Sequence, residues 1–192
     1  MKNFKETICG IPDKRQDSNT TSLTFKRDLW DFLSKNKFSI ALEIGTSLGF
    51  TTRIISQFVD KIYTVDNNIH NIAFAKDNNK KYCDNISYIH GDAYNGQIRD
   101  IYIDEIDLCF IDAVHDREHV MYDIETAIRK SSSRLTIIFD DYGLVPEVKK
   151  TIDDLIKQRI INFAQKIGET KGQSPRVGKI LQDYEGVICT VK

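Results

Sequence analysis

Short apolar runs recur along the chain, separated by segments whose apolar residues fall three or four positions apart. The runs are SIALEI (39–44), KIYTVD (61–66), ISYIH (86–90), IDLCFID (106–112) and RLTIIFD (134–140). They are rich in Ile, Val, Phe and Tyr, and mostly apolar rather than alternating. Strands buried on both faces of a parallel sheet read that way. Between them lie 50–58, 69–81, 118–130 and 145–159. Val120, Ile124, Ala127 and Ile128 share one helical stripe, and Val145, Val148, Ile152, Leu155 and Ile156 share another. Pro146 fits a first helical turn. Upstream, Leu23, Leu29, Trp30 and Leu33 predict a helix over Ser22–Lys35.

This alternation predicts an α/β fold, a doubly wound and mostly parallel sheet with right-handed crossovers. The last third breaks the rhythm. RIINFAQ (159–165) and YEGVICTV (184–191) look like strands, but only the glycine-rich, basic connector GETKGQSPRVGK separates them. Two strands without a crossover helix pair most easily as an antiparallel hairpin, which brings the strand count to seven. Residues 1–36 read as a polar arm and one helix covering the active site. Residues 37–192 read as the main domain.

Ligands of a doubly wound sheet sit at the carboxyl ends of its strands. There the first run gives way to IALEIGTSLGFT (40–51), with Gly45 and Gly49 bracketing a turn into a helix whose free N–H groups face the same space. A pyrophosphate-binding turn reads G-x-G-x-x-G, and Ser47 stands where its middle glycine would be, which argues against a nicotinamide dinucleotide. Asp66 ends the second run, placed to accept hydrogen bonds from ribose hydroxyls. Glu43 adds an anion, suiting a cofactor that carries an amino group.

E-I-G-T-S-L-G followed by V-D resembles the cofactor site of the class I S-adenosylmethionine-dependent methyltransferases. The resemblance covers roughly residues 39–192 and implies their Rossmann-like fold with a seventh, antiparallel strand. It implies that Glu43, Gly45, Thr46, Ser47 and Gly49 cup the methionine part of the cofactor, and that Asp66 with Asn67 holds the ribose. In H-G-D-A (90–93), Asp92 and Ala93 would lie near the adenine, and Asp112 would border the same cofactor.

The fourth run ends in Asp112 and the fifth in Asp140-Asp141-Tyr142. Adjacent parallel strands bring these carboxylates together, and they repel one another unless a cation or proton compensates. All-oxygen ligation suits Mg²⁺, Ca²⁺ or Mn²⁺. F-I-D-A and the later acidic pair resemble the metal-dependent O-methyltransferases of the catechol and caffeoyl-CoA type. D-A-V-H-x4-V-x2-D (112–123) with D-D-Y is similar to the macrocin-type sugar O-methyltransferases, although Arg117 stands where that branch often has an aromatic residue. The resemblance implies that Asp112, Asp140 and Asp141 hold Mg²⁺ against a diol-like acceptor. His115 is expected either to take the acceptor's proton, with Asp112 beside it, or to be held by a hydrogen bond within its loop. The expected activity is O-methylation of a small hydroxylated acceptor, sugar-like or phenolic. The alternatives are a metal-independent methyltransferase acting on nitrogen or nucleic acid, a binding or scaffold protein without turnover, and a nicotinamide oxidoreductase. His115-Asp116-Arg117-Glu118-His119 also fits the H-x-x-E-H zinc motif, but His115 sits too close to a strand end to share a helix face with His119.

Composition narrows the partners. The 192 residues carry a net charge of −1, with 41% apolar and 29% charged residues. That balance fits one soluble domain with a small-molecule acceptor and argues against a nucleic-acid partner. MKNFKETICG lacks the apolar core of a secretion signal, and no run approaches the roughly 20 apolar residues of a membrane span, so a cytoplasmic location is expected. The four cysteines form no C-x-x-C pair, and Cys109 reads as a buried reduced thiol. Lys171, Arg176 and Lys179 in the connector either meet an acidic substrate or are solvated. Lys26 and Arg27 read as surface charges. A homodimer is compatible with all of this.

Overall fold

The computed structural model describes residues 3–13, 20–94, 103, 105–175 and 178–191, the side chains of 132 and 133 set aside. Arg176 and residues 14–19 of the polar arm fall outside that range. The elements are α1 (Phe4–Thr7), α2 (Leu23–Lys35), β1 (Ile40–Ile44), α3 (Phe50–Ile55), β2 (Lys61–Asp66), α4 (Ile69–Asn79), β3 (Ile86–His90), β4 (Ile106–Ile111), α5 (Arg117–Arg129), β5 (Ser131–Phe139), α6 (Pro146–Lys157), β6 (Ile161–Ile167) and β7 (Gly186–Val191). The seven strands lie in the order β3-β2-β1-β4-β5-β7-β6. The first five pair in parallel, and β7 runs antiparallel to both β5 and β6. The expected architecture is therefore present, terminal hairpin included.

Alternation along each central strand divides the core in two. Leu42, Ile44, Tyr63, Val65, Cys109, Ile111, Ile137 and Phe139 pack with Val120, Ile124 and Ala127 of α5 and with Val148, Ile152 and Leu155 of α6. Ala41, Ile62, Leu108, Phe110, Ile138 and Ile188 pack on the other face, with Phe25, Leu29 and Leu33 of α2 and with Ile54 and Ile55 of α3. Both faces are apolar, which is why these runs showed no alternation. The edge strand β6 differs, exposing Phe163 through Lys166.

Local chemistry sets the helix ends. Ser22, Asn68 and Asp116 cap α2, α4 and α5 by accepting from Phe25, His70 and His119 N–H. Pro146 starts α6. The third helix is shorter than predicted. Gln57 and Phe58 N–H bond three residues back, to Ile54 and Ile55, so the chain tightens after Ile55 and turns toward β2.

The N-terminal segment is fastened at several points. Arg53 of α3 is buried and donates to Thr7 and Cys9 carbonyls of the arm, at 3.2 and 3.3 Å, and to Asn79 and Asn78 of α4. Its guanidinium lies over the Tyr82 ring at 4.0 Å. The buried Glu185 carboxylate accepts from Ser22 N–H at 3.1 Å and from Gln173 at 3.1 Å. Asp28 accepts from Gly168 N–H at 2.9 Å, tying α2 to the hairpin connector.

Lys26 corrects an expectation. Far from being a surface charge, it is fully buried, and its ammonium donates to the Thr21 carbonyl. Ser22, Lys26, Leu29 and Leu33 share one stripe of α2, a spacing that places Lys26 inward. Arg27, one position on, is exposed as expected, with its guanidinium 5.8 Å from the Phe4 ring. Lys171 and Lys179 are exposed. Cys109 and Cys189 are buried free thiols. Among the described residues no helix is long and apolar enough to cross a membrane.

Phe25 is 0% exposed and packs edge-on against Phe110 at 6.0 Å, so it holds α2 on the sheet. Phe25→Ala is expected to lower unfolding free energy by about 3–5 kcal/mol in urea denaturation. Phe74→Ala on the exposed face of α4 should change it by no more than about 0.5 kcal/mol. Similar effects from the two variants would show that α2 is not docked through Phe25.

Candidate functional site

The turn after β1 is knitted to both neighbouring strands. Gly45 and Thr46 N–H bond the Val65 carbonyl at the end of β2, and Asp112 N–H bonds the Ile44 carbonyl. Gly45 has φ 100°, and a Cβ there would lie 2.0 Å from the Asp112 carbonyl oxygen, so no side chain fits. Gly49, at φ 75°, caps α3. Its missing Cβ would meet Ala75 of α4, so this glycine serves helix packing and does not line the cleft.

A cleft of about 240 Å³ opens above these carboxyl ends. Of the residues singled out in the sequence, Gly45, Ser47, Asp66, Asn67, Ala93 and Asp112 line it, joined by Asn71, Tyr94 and Val114. Asp66 is its polar centre. The carboxylate accepts from Ser47 N–H and Asn68 N–H, both at 2.8 Å, and from the Asn71 amide at 3.2 Å. Ser47 is held at φ 47° by this contact, so Asp66 also shapes the glycine turn. Asp92 contributes indirectly. Its carboxylate accepts from Tyr94 N–H at 2.9 Å and orders the bend that carries Ala93 and Tyr94 into the cleft.

Beneath the turn lies a smaller hollow, lined by Thr20, Glu43, Thr46 and Asp112 among others. Glu43 was expected to present a charge to the ligand. Its carboxylate is instead buried at 1% exposure, accepting from Thr52 and, at 2.5 Å, from Thr64. Thr46 pairs with Thr64 at 2.6 Å, so its hydroxyl belongs to the same buried network. Burial pushes the Glu43 carboxyl up to about 8, only partly offset by the two threonine hydroxyls. Near neutrality Glu43 is mostly a neutral acid supporting the turn from below.

On the far side of Asp112, three groups converge. His115 Nε2 lies 3.4 Å from Asp112 Oδ1 and 3.2 Å from Asp141 Oδ2. One donor atom from each residue falls within 4.8 Å of the other two. The expected trio was Asp112, Asp140 and Asp141. His115 takes the place of Asp140 in the group, because the loop after β4 folds back and brings its imidazole against both Asp112 and Asp141. Asp141, at φ 58°, turns its carboxylate back toward Asp112. His119 stays apart: its Nδ1 faces Asp116 at 2.6 Å, and its ring meets Tyr94 edge-on at 4.2 Å. The two histidines of the zinc-like motif therefore do not share a helix face, since α5 starts only at Arg117. Arg117 itself reaches Asp154 of α6 at 2.8 Å.

From the sequence, Asn71 and Asp123 have no assigned role, and Tyr94 reads either as flanking cofactor or acceptor or as an aromatic core residue near a strand end. Asn71 lies one turn into α4 on the side of Asp66. Asp123 had a legible signal, a carboxylate on the apolar stripe of α5 between Val120 and Ala127. It is 0% exposed.

The family model of a methyltransferase domain matches residues 42–142, just over half of the chain. No curated protein matches the sequence. Among solved structures, the chain is similar over its full length to an O-methyltransferase from Bacillus cereus in complex with S-adenosylhomocysteine, at 18% identity, 91% coverage of that chain and a TM-score of 0.73. It is likewise similar over its full length to the O-methyltransferase TomG from Streptomyces achromogenes, involved in tomaymycin synthesis and solved with S-adenosylmethionine, at 13% identity, 90% coverage and 0.72. A precorrin-6y C5,15-methyltransferase from Geobacter metallireducens is similar at 17% identity over 92% of this chain and 93% of that one, with 0.67. At these identities the likeness is one of fold.

The raised Glu43 carboxyl has a consequence for stability. A group that titrates near 8 when folded and at its ordinary 4.5 when unfolded favours folding in its protonated form. That contribution is complete below about 4.5 and is lost as pH rises through about 8. Glu43→Gln cannot ionise, so its stability relative to wild type should grow across that window, read as melting temperature against pH. Parallel curves for the two proteins would show that Glu43 does not titrate this way.

Proposed function

This chain belongs to the methyltransferase domain family, and from that premise we propose that it methylates a hydroxyl oxygen of a small acceptor, using S-adenosylmethionine and a divalent cation. The observation that carries the proposal is the sharing of Asp112 between the cleft and the group with His115 and Asp141. A methyl donor seated in one and an acceptor oxygen held at the other would meet at that residue. The family match leaves no support for the nicotinamide alternative.

The cleft suits a sulfonium nucleoside. Asp66 is a hydrogen-bond acceptor on its wall, facing outward from a turn with no room for side chains at Gly45. In this reading it takes the ribose hydroxyls, with Asn67 beside it, and Ala93 and Tyr94 border the base. The cofactor supplies an electrophilic methyl group. The chain supplies position, holding reacting atoms in line so that little freedom is lost at the transition state. Residues 1–36 contribute cover through Thr20, which lines the hollow beside Asp112.

The donor set for a cation is two carboxylates and one imidazole, a mixed set that fits Mn²⁺ or another borderline ion better than the all-oxygen Mg²⁺ site expected from sequence. Such an ion would act as a Lewis acid on the acceptor hydroxyl. Asp112, His115 and Asp141 would hold it, Asp141 from the floor at 0% exposure and the other two from partly open positions. A second reading follows from the 3.2 Å approach of His115 to Asp141, which would orient the imidazole as proton acceptor. His115→Ala separates them. Loss of Mn²⁺ affinity marks a ligand, whereas intact affinity with a lowered kcat marks a base.

The central test is calorimetry with S-adenosylhomocysteine, with NAD as control, in Mn²⁺, Mg²⁺ or EDTA. Asp66→Ala should weaken S-adenosylhomocysteine binding by at least ~1.5 kcal/mol, since a charge-assisted contact is left unmade and the Ser47 turn is released. Asp141→Asn should keep that affinity and abolish the response of turnover to the cation. NAD binding without S-adenosylhomocysteine binding would refute the reading.

A further inference from the structure

We propose that Tyr94 and Asp123 act as one unit that fixes the wall at the base end of the cleft, Asp123 being a positioning residue that works through the Tyr94 hydroxyl. This rests on the cofactor reading above and adds to it a residue from outside the cleft. The Tyr94 ring lines the cleft together with Val114. Its hydroxyl points away, donating to Asp123 Oδ2 at 3.3 Å and accepting from Val114 N–H at 3.4 Å. The ring is also held edge-on by His119 at 4.2 Å and Tyr122 at 5.7 Å. One phenol thus joins the bend after β3, the loop after β4 and the helix α5.

Asp123 has no evident value as packing. It is wholly buried, its Oδ1 has no hydrogen-bond partner among the described residues, and burial pushes its carboxyl up to about 8. An isolated carboxyl among Val120, Ile124 and Ala127 destabilises a core that an apolar side chain would fill without penalty. What Asp123 does supply is a fixed acceptor for Tyr94. With that acceptor in place the ring plane is set, and the hydroxyl in turn takes up the Val114 amide, two residues from Asp112. Without it the phenol loses its anchor, and the two walls of the apolar end lose their spacing.

The test is the affinity of the full chain for S-adenosylhomocysteine by calorimetry, with melting temperature recorded alongside. Tyr94→Phe and Asp123→Ala should each weaken binding about tenfold, the scale of one buried hydrogen bond. The double variant should be no weaker than the worse single, because both remove the same contact. Asp123→Asn keeps an acceptor oxygen and should recover most of the affinity. If Asp123→Ala changes melting temperature alone, or if the double variant shows additive losses, the unit does not exist. Should Asp123→Ala fail to fold, wild-type affinity in Tyr94→Phe overturns the proposal by itself. Wild-type protein that binds no S-adenosylhomocysteine would remove the cofactor reading and this inference together. Tight wild-type binding indifferent to these substitutions removes only this one.

Discussion

The passage of the chain at Gly45, pressed against the carbonyl of Asp112, governs the rest of the site. Parallel pairing brings β1 and β4 side by side, and their carboxyl ends close on each other so tightly that a Cβ would overlap backbone. The consequence is geometric. The turn after β1 and the loop after β4 become two sides of one opening, and Asp112 faces both the cleft and the group with His115 and Asp141. Under the proposed function, a donor and an acceptor seated on either side of that common residue would need little further machinery to bring two atoms into line.

Buried carboxyls support this opening at both ends. Glu43 lies under the glycine turn and Asp123 behind the Tyr94 wall, and burial raises each to about 8. Neither is a surface charge aimed at ligand. Glu43 collects the hydroxyls of Thr52 and Thr64 from two neighbouring elements and sets the height of the turn above them. Each of the two carboxyls has one oxygen engaged and the other without a hydrogen-bond partner among the described residues, so their contribution is to position the hydroxyls they hold more than to stabilise the fold.

The N-terminal segment closes the other side of the sheet through contacts from distant parts of the chain. Arg53 gathers arm carbonyls, Glu185 receives the start of α2, and Asp28 holds Gly168. These contacts join α2 to the terminal hairpin, and Thr20 lines the hollow beside Asp112.

Hydrophobic pattern marked the central strands and the crossover helices among the described residues, because burial on two faces leaves a continuous apolar run, while the missing helix before the last strand marked the antiparallel ending. The glycine turn and Asp66 were equally legible, since their chemistry is local: a residue without Cβ, and an acid one strand away. Lys26, Asp123 and the exchange of Asp140 for His115 were decided by tertiary structure. In each case the outcome turns on which way a side chain points once elements are docked. Lys26 is drawn inward by the stripe of α2, Asp123 meets a tyrosine from another loop, and the left-handed backbone at Asp141 selects between adjacent carboxylates. Period and propensity report which face a residue belongs to, but the partner waiting on that face comes from elsewhere in the chain, and only folding brings it there.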